Sequence, residues 1–181
     1  MIFHMSHLAP CILVASPRIL DPNFLHTVIL LVEHDDSGAM GVILNRPLPV
    51  TLAQICEESR LPFHGDDCAT AWRGGPVDPQ RGIVLVRGGL PSADDTVLDF
   101  TDFISYRKDL LESLLVEPAA RFRLFLGYAG WGEGQLDKEL EGGGWARLPL
   151  NPSWLMSNDP TELWTQAIQS ISSGRPGGAE A

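Results

Sequence analysis

Three apolar runs near the start of the chain constrain the fold more than any other feature: CILVAS from Cys11, TVILLVEH from Thr27 and AMGVIL from Ala39. Each is rich in aliphatic and β-branched residues and about as long as a strand. Between the first two stands Leu20-Asp21-Pro22-Asn23, where Asp and Asn can bond their own backbone and Pro sets φ; Asp35-Asp36-Ser37-Gly38 separates the second from the third. The pattern predicts a strand and then a hairpin. The longest unbroken apolar stretches, residues 11–15 and 28–32, fall far short of the ~20 residues of a membrane-spanning helix, so a soluble chain is expected.

The remainder mixes short elements. Thr51-Leu-Ala-Gln54 has the capping-box pattern and starts a helix that carries Leu52, Ile55 and Cys56 on one face and stops before Pro62. Short strands are expected around residues 69–72, 83–87, 96–100 and 122–128. Leu110, Leu111, Leu114 and Leu115 repeat with helical spacing before Pro118, and a further helix is expected over residues 135–140. Asp159 with Pro160 and Glu162 marks a last helix, capped by Asp159, whose buried stripe is Leu163, Trp164, Ala167, Ile168 and Ile171. Strands that do not alternate with long helices favour α+β over a doubly wound parallel sheet. A chain of 181 residues with 18 Gly and 14 Pro spread along it fits one domain with many turns. We expect that domain over residues 8–173, with a flexible N-terminus at 1–7 and a disordered tail at 174–181.

Charge and cysteines narrow the function class. Thirteen basic against twenty-three acidic residues leave a net charge of −10, which repels nucleic-acid backbones and anionic membranes, so neither is an expected partner. Cys11, Cys56 and Cys68 are odd in number and fit no CxxC or zinc spacing, and the N-terminus lacks a charged signal region. A cytoplasmic location with free thiols and no disulfide is the expectation.

Glycine-rich segments are the candidate sites. Gly127-Tyr-Ala-Gly-Trp-Gly-Glu-Gly134 lies between a predicted strand and a predicted helix, and could present backbone N–H groups to a ligand at Gly130, Trp131 and Gln135. A tight strand-to-helix turn covered by Trp131 is the competing and favoured reading; GxGxxG fails at Gln135, and no GxxxxGK[ST] loop occurs. In that turn a Cβ at Gly132 is expected to be costly. Gly74, Gly75 and Pro76 offer a second backbone surface or a reversing turn, and Asn45 with Arg46 could hold a carboxylate from a ligand or from the protein itself. Glu33, His34, Asp35 and Asp36 form a ligand-like string, yet alternation puts Glu33 and His34 on opposite faces, so no metal is expected. His4 and His7 sit too near the terminus to make a site. Trp131, Trp145, Trp154 and Trp164 are expected to fill the core rather than a groove. No GxSxG, HExxH or cysteine-centred pattern occurs, and no cofactor is expected.

Read together, ASPRILDPNFLHTVILLVEHDDSGAMGVILNRP, RGGPV, LGYAGWGEGQLDKEL and the helix containing Trp164 resemble the YqgE/AlgH family of bacterial proteins. This chain departs from the family's pattern at Arg73, at Val86 where a His often follows the leucine, at Asp137 in place of Glu, and at Gly142-Gly-Gly144. The resemblance implies a strongly bent, branched sheet that closes into a pseudo-barrel with helices packed outside. Members are often labelled transcriptional regulators. The combined expectation is a non-enzymatic protein that acts through a partner protein or small ligand with a regulatory outcome. The alternative is a small-molecule or nucleotide-type binder, or an enzyme, using the glycine-rich loops.

Overall fold

The computed structural model describes residues 8–99 and 101–174. Its strands are β1 (Cys11–Ala15), β2 (Val28–Asp35), β3 (Gly38–Ile43), β4 (Pro47–Thr51), β5 (Thr70–Arg73), β6 (Val77–Arg87), β7 (Thr96–Val97), β8 (Asp102–Ser105), β9 (Arg121–Trp131) and β10 (Trp145–Leu148). The helices are α1 (Leu52–Glu58), α2 (Lys108–Leu115), α3 (Gln135–Glu141), α4 (Pro152–Leu155) and α5 (Pro160–Ser172). The expectations for residues 1–7, His4 and His7 among them, and for the tail beyond Gly174 lie outside the described residues, as does Phe100 at the end of the strand expected over 96–100.

All ten strands join one α+β sheet in the order β10-β1-β2-β3-β9-β6-β8-β7, with β5 added parallel to β9 and β4 on β5. The other pairings are antiparallel. The sheet branches at β9, where residues 129–131 pair with β3, residues 125–126 pair with β5, and β6 runs along the strand as well. The expected closure into a pseudo-barrel does not occur. Its end strands, β10 and β7, do not pair with each other. Closure would need a strand-to-strand seam; instead α4 and α5 complete the central core, contributing Trp154, Leu155, Leu163 and Ala167.

Alternation sorts the side chains between three cores. Ile12, Val14, Leu30, Val42, Ile83 and Leu85 point into the central one. Leu13, Ile29, Leu31 and Ile43 point to the opposite face, under α3, and Val84, Val86 and Leu124 lie beneath α1 and α2. On β9 the phase changes. Phe125 belongs to the central core, whereas Ala129 and Trp131, two and three full alternations further on, belong to the α3 face. Gly127, with φ 77, absorbs this slip. A Cβ there would lie 2.5 Å from the Gly75 carbonyl oxygen and 3.0 Å from that of Val77.

Local signals account for several boundaries. Thr51 and Gln54 form the expected capping box, with Gln54 N–H donating to Thr51 Oγ1 (3.1 Å) and Thr51 N–H to Gln54 Oε1 (2.9 Å). At α5, Asp159 occupies the cap position without accepting a helix N–H; its carboxylate takes the Thr161 hydroxyl instead. Leu163 and Ala167 are buried as expected, but Ile171 lies on the open side of the last turn, 36% exposed.

Candidate functional site

The β9 phase change turns Trp131 onto the face covered by α3. Gly134, with φ 68, then starts the helix, and Gly132 N–H donates to Gln135 Oε1 (3.0 Å). Four residues on, one helical turn places Glu139 beside Gln135, whose Nε2 donates to Glu139 Oε1 (3.1 Å). Glu139 Oε2 accepts two indole N–H groups, from Trp131 (2.8 Å) and from Trp145 (3.0 Å). Trp145 reaches this point because β10 pairs with β1, opposite Ala15. One carboxylate therefore ties α3 to two strands, and its charge strengthens each bond.

Phe24, from the loop between β1 and β2, completes an aromatic wall. Its ring lies 6.5 Å from that of Trp131, near parallel, and meets Trp145 edge-on at 5.8 Å; the two indoles meet edge-on at 5.9 Å. Gly130, Trp131, Gln135 and Glu139 border a cavity of about 400 Å³ with Phe24, Trp145 and Asp21. Both indoles are 5–6% exposed, so they fill the core and face the cavity at once.

Of the residues singled out in the sequence, Gly130, Trp131 and Gln135 are thus brought together. Gly130 lies within β9, paired with Met40, not in a turn. Asn45 and Arg46 stand apart from the cavity and grip the loop that carries Phe24. Asn45 accepts the Val28 N–H (3.0 Å) and donates to the His26 carbonyl (2.9 Å), while Arg46 donates to the carbonyls of Leu25 (2.7 Å) and Pro22 (3.3 Å). Burial, aided by the neighbouring charge of Arg73, lowers the Arg46 pKa. Gly74 and Gly75 are buried where β3, β5 and β9 meet, and a Cβ on either would run into backbone of Gly127 or Tyr128. Gly74 also donates to Leu126 O (2.9 Å) and accepts from Ile43 N–H (2.8 Å). Pro76 follows, half-buried, just ahead of β6.

The turn after Trp131 differs from expectation. Gly132 has no positive φ, and a Cβ there would meet only Gln135 Oε1, at 3.9 Å. The backbone demand falls on Gly127 and Gly134 instead. Glu139, Trp145, Phe24 and Asp21 were not singled out as site residues by sequence; the spacing of Gln135 and Glu139 on one helix face was the available signal.

His34 is buried and pins α3 from beneath. Its Nδ1 accepts the Leu8 N–H (3.2 Å), so Nε2 carries the proton that faces Asp137 Oδ1 at 3.1 Å. Glu33 points the other way and accepts the Tyr106 hydroxyl (3.3 Å). Burial, and then the Glu33 charge, raise the Tyr106 pKa. Among the described residues no group of three or more His, Cys, Asp or Glu side chains could hold a metal ion, and no helix is long and apolar enough to cross a membrane.

A family model described as AlgH-like matches residues 12–174. A UPF0301 protein of Myxococcus xanthus is 37% identical over 168 residues, covering 92% of each chain. One from Streptomyces avermitilis is 36% identical over 172 residues, 91% of this chain and 87% of the relative. The solution structure of the AlgH protein from Pseudomonas aeruginosa superposes with a TM-score of 0.74 at 34% identity, over 93% of this chain and 94% of that one. A crystal structure from Corynebacterium diphtheriae, 23% identical, shares the fold with a TM-score of 0.70, over 90% of this chain and 85% of that one.

Proposed function

Given that the chain belongs to the AlgH-like family, we propose that it is a non-enzymatic binding protein of the cytoplasm that receives a small ligand, or a group carried by a partner protein, in the pocket between β9, α3 and β10. One observation carries this reading: Gly130, Trp131 and Gln135 border a single cavity with three aromatic rings and a carboxylate that accepts three N–H bonds. Its volume, about 400 Å³, is within the range of small-molecule sites. A carboxylate that already accepts three N–H donors is suited to orienting a ligand more than to moving protons. Free thiols at Cys11, Cys56 and Cys68 agree with a reducing compartment. A regulatory outcome of the kind the family's label suggests would run through occupancy of this pocket, since a net charge of −10 gives DNA little to hold.

The test is a metabolite and fragment screen followed by NMR at the indole N–H signals of Trp131 and Trp145. Saturable shifts of both signals support the reading. Binding that leaves both unmoved, or turnover of a ligand bound at another place, refutes it.

A further inference from the structure

Resting on that reading, we infer that the pocket is selective for an organic ammonium cation, set against the faces of Phe24, Trp131 and Trp145 and the carboxylates of Asp21 and Glu139. Three rings converge here in mixed near-parallel and edge-on orientations, and all three residues border the cavity. Among the described residues, the charged side chains bordering the cavity are Asp21 and Glu139, both acidic. Arg18 lies against Gly143, beside the pocket, and is not among the residues that line it. An anion would therefore meet two negative charges, whereas a cation is attracted by them and by each ring face it covers.

The hydrogen-bonding capacity points the same way. A carboxylate offers about four acceptor positions. Glu139 uses three of them, on Trp131, Trp145 and Gln135. Asp21 uses Oδ1 on the Asn23 N–H (2.9 Å), which leaves Oδ2 for an incoming donor. What remains open on both is acceptor capacity next to aromatic surface, the combination that an alkylammonium head with a short apolar stem satisfies. Such a head is shared by free amines and by lysine side chains of a partner, and the two sources differ in the flanking atoms that the cavity must admit.

The experiment titrates the full-length protein with n-butylammonium, choline, the uncharged isostere of choline in which a tert-butyl group replaces the trimethylammonium, and butyrate. Binding is read from the Trp131 and Trp145 indole N–H shifts. The cations are expected to bind about tenfold tighter than the uncharged isostere, and butyrate not at all. Lysine with both backbone ends capped as amides distinguishes the sources: affinity equal to or above that of n-butylammonium assigns a partner's side chain, and lower affinity assigns a free amine. Phe24→Leu should weaken the cations by about 3- to 30-fold and the isostere far less. Asp21→Asn, at an exposed position, removes charge without opening the core and should weaken the cations alone. Binding of both n-butylammonium and choline no tighter than that of the isostere, or a preference for butyrate, overturns the cation while leaving the binding pocket intact. If none of the probes shifts either indole and a neutral fragment does, the cation again falls; if nothing at all shifts them, the pocket reading falls with it.

Discussion

Replacing Glu139 with Ala tests the architecture of the site most directly. The carboxylate accepts N–H bonds from Trp131 (2.8 Å) and Trp145 (3.0 Å), and the two residues are 6% and 5% exposed. Removing the acceptor strands both indole donors where water reaches them poorly. A buried donor without a partner costs about 1–3 kcal/mol, so two such donors set a loss of roughly 2–6 kcal/mol, with the lower half expected because the cavity lets some water in. Glu139→Gln keeps a carbonyl oxygen that can take both indoles, so its loss should stay near 1 kcal/mol. The assay is equilibrium urea unfolding with the slope held as a check on the denatured state, together with the chemical shifts of the two indole N–H protons. A Glu139→Ala loss below ~0.5 kcal/mol, or Gln as damaging as Ala, would refute the view that this carboxylate holds α3 to β9 and β10.

Gly74→Ala should cost about 2–3 kcal/mol in the same assay because its methyl runs into the Gly127 carbonyl, whereas Gly132→Ala should stay within ~0.5 kcal/mol. Equal costs would contradict the backbone geometry at the two sites. Burial alone would raise the Asp95 pKa, but bonds from Arg107, Ser105 and the Ser92 N–H outweigh it and hold the group below the usual carboxylate value. A depressed folded pKa means stability that is complete above the unfolded value near 4 and lost as pH falls through the folded one; Asp95→Asn should flatten this acid limb, and an unchanged limb would count against the pairing. Burial raises the pKa of Cys11 and of Cys56, while Cys68 is exposed, so brief alkylation of the native protein should modify Cys68 first and denaturant should release the other two. A linked pair found without reductant would contradict the proposed reducing compartment.

Much of the fold was legible along the chain because local rules produced it. The runs at Cys11, Thr27 and Ala39 became β1, β2 and β3, and the Thr51 capping box opened α1. Elements with weak local patterns were missed: β4 starts with a proline, β8 and β10 are four residues long, and α4 is a single turn after Asn151. Tertiary pairing supplies what their own sequence does not. For β9 the glycines suggested an ending near Tyr128, yet the strand continues to Trp131, because Gly127 slips the phase and β3 offers an edge to residues 129–131.

The candidate site divides along the same line. Local geometry along the chain accounts for the short-range contacts, Gly132 with Gln135 and Gln135 with Glu139, pairs three and four residues apart that a turn and a helix bring together. The opposite faces of Glu33 and His34 followed from strand alternation alone. The meeting of Phe24 with Trp131 and Trp145 has no such local origin, since it depends on β10 folding back onto β1 and on Asn45 and Arg46 seizing the loop before β2. The same tertiary arrangement leaves β10 and β7 unpaired with each other and completes the central core with α4 and α5. Contacts between residues far apart in the chain are selected by the joint burial of several elements, and that quantity is not encoded in any one segment.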